Sequence, residues 1–218
     1  MRKLYGYFRS SAAYRVRIAL GLKGLDFDHV AVNLVPGISE QKSAAYTALN
    51  PQGRVPYFID GSVSLSQSPA ILEYLDEAYL EIPLLPTGLQ ARARVRQLAS
   101  LIGCDIHPLN NLAVLMRLKD EMNADETTVN AWYQHWITEG FTAFERLLAD
   151  SPDTGSFCHG NTPGIADIYL VPQVWNARRF NVPLDSFPEI VRIDAACNEI
   201  DAFMIAAPEN QPDAPKTT

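Results

Sequence analysis

The amino-acid sequence predicts a small α/β domain of mixed sheet followed by an all-α domain. Two observations carry this. Strand and helix signals alternate through the first eighty residues, and beyond the proline-bearing connector Glu81–Pro86 (EIPLLP) every periodic run has helical spacing. The boundaries follow as 1–80, a linker over 81–86, and 87–218.

Taken in order, Lys3–Phe8 (KLYGYF) is short and aromatic-rich, as a buried strand is. Ser10 and Ser11 precede a helical run in which Val16, Ala19, Leu20 and Lys23 recur at helical spacing, and Gly24 supplies a stop. Phe27–Asn33 reads as a second strand and Ser39–Leu49 as a weaker helix closed by Asn50-Pro51. Pro56–Ile59 and Val63–Leu65 flank Asp60-Gly61, a hairpin signal. Ser66–Tyr79 returns to helix, giving the order β-α-β-α-β-β-α. In the second part the helical runs are Gln90–Leu118, Glu126–Leu148, Ile165–Phe180 and Pro188–Phe203, and the proline-bearing tail from Pro208 reads as frayed.

Composition narrows the function. The net charge is −7, and the acidic excess lies in the second part: eight Lys/Arg face seven Asp/Glu through Tyr79, and ten face eighteen thereafter. A nucleic-acid face is therefore not expected, and an anionic substrate would have to be drawn in by local arginines. No apolar run approaches the ~20 residues of a membrane span, and the start has no long apolar segment of a signal peptide. Cys104, Cys158 and Cys197 are odd in number and far apart, which fits a reducing cytoplasm better than a disulfide framework or a zinc site.

Three short segments can carry chemistry. Arg9-Ser10-Ser11 lies where a strand yields to a helix, where unpaired amides and the helix dipole favour negative charge. A serine hydroxyl there can stabilise a thiolate, although simple capping also accounts for it. Asn50–Pro56 (NPQGRVP) places a proline at a strand start, and a cis bond before Pro56 would turn the Val55 backbone outward. Only about 5% of such bonds are cis, so the dipeptide alone does not establish one. Gln67-Ser68-Pro69 opens another helix, and Ser68 with its amide can hold a carboxylate or merely cap. His29, His135 and His159 have no metal-ligand spacing, Trp132, Tyr133 and Trp136 read as packing, and Arg92, Arg94 and Arg96 read as solvated. No metal is expected.

In order and spacing these segments, YFRSSAAYRVRIAL, NPQGRVP and QSPAILEYLDE, closely resemble the zeta class of glutathione transferases. The resemblance continues through GCDIHPLNN (103–111), GIADIYLVPQVWNARRF (164–180) and QPDAP near the end, and so covers nearly the whole chain. It implies a thioredoxin-like N-terminal domain, an all-helical C-terminal domain and a homodimer. It further implies glutathione as cofactor, with Ser11 beside its sulfur and Ser10 adjacent. Val55 would pair through its backbone with the cysteinyl portion, with Gln52 nearby, and Gln67 and Ser68 would hold the γ-glutamyl carboxylate. His107 and Asn111 would approach the glutathione site, and Arg9 and Arg179 would line the pocket of a small dicarboxylic keto acid.

Two departures bear on these roles. Ala12 and Ala13 stand where many members of the class have Cys and Ser, which leaves no protein thiol for redox chemistry but spares an isomerase that uses the thiol of glutathione itself. Gly164 stands where relatives have Ser or Thr, and Asp167 is expected to reach back to the Gly164 amide as a structural cap. The reaction the resemblance implies is cis–trans isomerisation of maleylacetoacetate to fumarylacetoacetate in aromatic amino-acid breakdown. Its alternatives are the maleylpyruvate reaction of gentisate breakdown, a general transferase or peroxidase, and a non-catalytic dimeric scaffold.

Overall fold

The computed structural model describes residues 1–215. By packing, the chain divides into Met1–Leu84 together with the segment from Asn198 onward, and Leu85–Cys197. The sequence boundary assigned that closing segment to the helical domain. The difference has a physical origin, given below, in how the last helix packs.

In the first unit, strands β1 (Arg2–Gly6), β2 (Asp28–Ala31), β3 (Tyr57–Asp60) and β4 (Val63–Ser66) form one sheet in the order β2-β1-β3-β4. β1 and β2 are parallel, as a helical crossover between them demands, while β1–β3 and β3–β4 are antiparallel. The hairpin turns at Gly61, whose φ of 59° lies in the left-handed region. Leu4 and Phe58 face each other across β1 and β3, both fully buried. Helices α1 (Ser11–Leu22) and α3 (Ser68–Ala78) fall where the sequence places them. The weak Ser39–Leu49 helix is instead a 3-10 turn at Glu40–Lys42 and a short α2 (Ala44–Leu49), because Ser43 is extended and caps Tyr46.

α1 is buried nearly all round, from Ala13 to Leu20, as only a helix covered on more than one side can be. The second cover is α9 (Asp201–Ala206). At Gly21 a Cβ would lie 3.1 Å from the Ala202 Cβ, so glycine permits the close approach. Arg17 Nε donates to the Ala206 carbonyl at 2.9 Å, and Phe203 is fully buried. The run Pro188–Phe203 is therefore interrupted: α8 (Pro188–Asn198) ends, Ile200 is extended, and α9 starts anew. The expectation of a tail frayed from Pro208 is overturned for residues 208–215, and residues 216–218 lie outside the described residues. The Gln211 side chain donates to the Ile205 and Ala207 carbonyls at 2.9 Å, and Asp213 accepts from the Phe8 amide at 2.9 Å.

The second unit is helical. α6 (Glu126–Ala149) buries Val129, Tyr133, Ile137, Phe141, Phe144 and Leu148 at helical spacing. α7 (Ile165–Arg179) is buried at twelve of its positions and forms the centre of the unit. The expected run Gln90–Leu118 is three pieces: α4 (Leu89–Ser100), a wide π turn (Leu101–Ile106) and α5 (Leu112–Asp120). Pro108 cannot donate into a continuing helix, and Asn111 offers its side chain to the Ala113 amide at 3.0 Å, restarting the helix. A Cβ at Gly140 would lie 2.3 Å from Ile106 Cδ1, so α6 accepts the π turn only through glycine.

Arg94 is not a solvated arginine. It donates to the Cys158 carbonyl at 2.6 Å and to Thr154 Oγ1 at 2.8 Å, organising the loop between α6 and α7. Among the described residues no helix is long and apolar enough to cross a membrane.

Candidate active site

The turn from β1 into α1 is held by its own hydrogen bonds. The Ser10 amide donates to the Tyr7 carbonyl at 2.9 Å, and Ser10 Oγ accepts from the Ala13 amide at 3.2 Å as the N-cap of α1. Ser11 is the first residue of the helix and is buried. The two adjacent serines thus take different places: Ser10 caps the helix, and Ser11 stands inside it at the positive end of the helix dipole. Arg9 is exposed, with Nη2 donating to the Tyr7 hydroxyl at 3.2 Å and the guanidinium 5.2 Å from the Phe8 ring centre.

The loop between α2 and β3 is pinned at Arg54, whose carbonyl accepts from Asn50 Nδ2 at 2.6 Å and the Tyr46 hydroxyl at 2.7 Å. Burial pushes that tyrosine's pKa up to about 12, so it remains a donor. The Val55–Pro56 peptide is cis. Gln52 lies in this loop and accepts from Gln67 Nε2 at 2.6 Å.

Gln67 has φ 71° and ψ 110°, a backbone conformation that costs a non-glycine residue about 1–3 kcal/mol and collects at functional sites. Ser68 opens α3, almost fully buried. Behind it stands Arg15, which sequence reasoning missed. Its side chain is 2% exposed, and Nη1 reaches Ser68 Oγ at 3.4 Å. The available signal was the pair Arg15 and Arg17 inside a helix whose remaining residues are mostly apolar. Its charge adds to the helix dipole in favouring a carboxylate at the start of α3. Hydroxyls and amides at two helix starts, a glutamine pair and a buried cation form a donor set suited to an anionic peptide-like ligand bearing a thiol.

In the helical unit, His107 and Asn111 belong to the segment between the π turn and α5. α6 holds this segment: Trp132 Nε1 donates to the Leu109 carbonyl at 2.9 Å, and Asn110 Nδ2 donates to the Tyr133 carbonyl at 3.2 Å. The aromatic residues of α6 are packing, as expected, but they pack to a purpose. Tyr133 stacks on Phe180 with ring centres 3.6 Å apart, and Gln134 donates to the Phe180 carbonyl at 2.7 Å. Arg179, the last residue of α7, lies with its guanidinium 4.8 Å from the ring centre of that same Phe180.

Asp167 is a cap. Its carboxylate accepts the Gly164 and Cys158 amides, each at 2.8 Å, and burial pushes its pKa up. His29 faces Asp213, exposed His135 faces Glu139, and His159 faces Arg94, so each of these three histidines has a partner of its own. Among the described residues no three His, Cys, Asp or Glu side chains gather as a metal site would require.

Residues 2–77 match the family description "Glutathione S-transferase, N-terminal domain", and residues 129–203 match "Glutathione S-transferase, C-terminal domain". The chain is 50% identical to a maleylpyruvate isomerase of a Ralstonia species, over 97% of this chain and 99% of that protein. It is 49% identical to the maleylacetoacetate isomerase of Pseudomonas aeruginosa PAO1, over 98% and 99%. The crystal structure of a maleylacetoacetate isomerase from Methylobacterium extorquens AM1, with bound malonate and glutathione, superposes with a TM-score of 0.94 at 37% identity, covering 98% of this chain and all of that one.

Proposed function

We propose, from the premise that this chain belongs to the glutathione transferase family, that it is a glutathione-dependent cis–trans isomerase acting on maleylacetoacetate. The observation that carries the reading is the placement of Ser11, the buried first residue of α1, at the positive end of that helix's dipole and next to the Ser10 cap. A non-catalytic scaffold would not need to keep Ser11, Gln67 and Ser68 together. The relative crystallised with bound malonate and glutathione supports the reading, since it takes both a dicarboxylate and the cofactor.

In this reading Gln67 and Ser68 hold the γ-glutamyl carboxylate, assisted by the buried charge of Arg15. The backbone of Val55 pairs with the cysteinyl portion, with Gln52 fixing the orientation of Gln67. His107 and Asn111 contribute further contacts to glutathione. When bound, glutathione would supply a thiolate able to add to the cis carbon–carbon double bond, leaving it single and free to rotate until expulsion of the thiolate restores the double bond. Ser11 donates a hydrogen bond to the sulfur, which lowers the thiol pKa and raises its ionised fraction near neutral pH. Arg9 and Arg179 meet the carboxylates and the developing enolate charge; a guanidinium suits both because it pairs bidentately. The chemistry asks for no metal. The arginines favour this reading over a general transferase or peroxidase, since an uncharged electrophile needs no cation.

A second reading has its own support: the maleylpyruvate and maleylacetoacetate isomerases match this chain at 50% and 49% identity. Absorbance-monitored isomerisation of both enzymatically generated keto acids, with and without glutathione, tests the pair. A higher kcat/KM for maleylacetoacetate supports the first reading and a place in aromatic amino-acid breakdown; the reverse assigns the enzyme to gentisate breakdown. Turnover independent of glutathione overturns both. We further propose a homodimer in the cytoplasm, where three unpaired cysteines stay reduced; light scattering checks the first part.

A further inference from the structure

The QPDAP segment has no place in the site described so far, yet it reaches that site's most sensitive turn. β1 ends at Gly6, where the Val32 amide makes the last cross-strand bond to the Gly6 carbonyl at 2.7 Å. The Phe8 amide therefore lies beyond the sheet ladder and needs an acceptor from elsewhere. Asp213 Oδ2 supplies it at 2.9 Å, across 205 positions of sequence. The Phe8 carbonyl is gripped as well, by Arg17 Nη2 at 3.0 Å, while Arg17 Nε holds the Ala206 carbonyl. Both polar groups of Phe8 are thus tied to α1 and the closing segment. Three residues further on stands Ser11.

Asp213 is partly buried, and among the described residues its side chain's only hydrogen bond is the one to the Phe8 amide. Its side chain is 14% exposed, and Oδ1 lies 3.1 Å from His29 Nε2. The Gln211 side chain anchors the segment to the end of α9, and the Ala214 amide closes the turn onto the Gln211 carbonyl at 3.0 Å. A partly buried carboxylate is costly without a hydrogen bond, so the bond from the Phe8 amide to Oδ2 is favoured.

We propose that Asp213 is a positioning residue: by fixing the Phe8 amide it holds Ser11 where its hydroxyl meets the glutathione sulfur. This rests on the reading of Ser11 given above. Misplacement by about 1 Å is enough to cost on the order of a hundredfold in rate, and the turn has no other anchor for that amide among the described residues. Charge and geometry act in opposite directions here. If Asp213 acted through its negative charge, removing it would lower the pKa of a nearby thiol; if it acts by positioning, removing it weakens the serine–sulfur bond and raises that pKa.

The test is a pH titration of the thiolate ultraviolet band of enzyme-bound glutathione in wild type, Asp213→Ala, Asp213→Asn and Asp213→Glu, with calorimetric binding of S-methylglutathione as the control. The expected result for Asp213→Ala is a rise of about one unit in the bound thiol pKa, hence about tenfold less thiolate at neutral pH, with S-methylglutathione affinity within about twofold of wild type. Asparagine keeps an acceptor for the Phe8 amide and should restore the wild-type titration. Glutamate keeps the charge but moves the acceptor, and should raise the pKa; it carries the test if the alanine variant does not fold. An unchanged or lowered pKa in Asp213→Ala or Asp213→Glu overturns the proposal, as does loss of S-methylglutathione binding in the asparagine variant. If wild type binds glutathione without forming thiolate, the reading of Ser11 fails first and takes this one with it.

Discussion

The side-chain amide of Gln67 donates to the side-chain oxygen of Gln52 at 2.6 Å, joining the start of α3 to the loop that carries Val55. The bond forms although Gln67 sits at φ 71° without a side-chain cap of its own helix, so the position serves something other than helix stability. Gln67→Gly should leave the thermal midpoint unchanged or slightly raised, because glycine adopts that backbone without strain. The same variant should weaken glutathione by about tenfold, read as KM for glutathione at saturating keto acid, with kcat little changed.

Arg179→Lys tests the acid-binding role. Lysine retains the charge but loses the planar fork and the contact over Phe180. The kcat/KM for the keto acid should fall about tenfold to a hundredfold, corresponding to the ~1.5–3 kcal/mol of a charge-assisted hydrogen bond, while KM for glutathione stays put. An equal loss toward an uncharged conjugation substrate would speak against a carboxylate anchor.

Arg94→Ala should destabilise the helical unit by about 2–3 kcal/mol, since it releases the Cys158 carbonyl and Thr154 together. Urea denaturation checks this. The turnover per folded molecule should not change, because none of the partners of Arg94 belongs to the proposed site.

His29 gives the fold a pH dependence of definite sign. Burial pushes its pKa below the ordinary 6.5, with the attraction of Asp213 opposing that shift and Arg17 adding to it. As pH falls below about 6.5 the unfolded chain takes up a proton before the folded one does, so stability drops through that window and is fully present above it. The urea midpoint of wild type should therefore decline between pH 6.5 and pH 5 more steeply than that of His29→Gln.

The parts of this molecule that were legible in the sequence are those set by neighbours in the chain. The Ser10 cap, the Gly24 stop, the Asp60-Gly61 hairpin and the Asp167–Gly164 cap each depend on residues within a few positions. The parts that were not legible depend on distant partners. The run from Gln90 to Leu118 contains a breaker, Pro108, but the π turn ahead of it is set by the packing of Ile106 against Gly140, which the sequence does not display. A long side chain such as Arg94 shows nothing of its destination, and proline-rich composition hid the tail's attachment to Phe8. Arg15 escaped because an arginine within an apolar run marks a buried cation without showing which group it faces.

The most direct test of the account is the isomerisation of maleylacetoacetate by wild type and Ser11→Ala, each with saturating glutathione. The predicted result is glutathione-dependent turnover in wild type and a loss of at least about a hundredfold in kcat for the variant, with S-methylglutathione still bound. Wild-type turnover in Ser11→Ala would contradict it and move thiol activation from that hydroxyl to the amides of the α1 N-terminus alone.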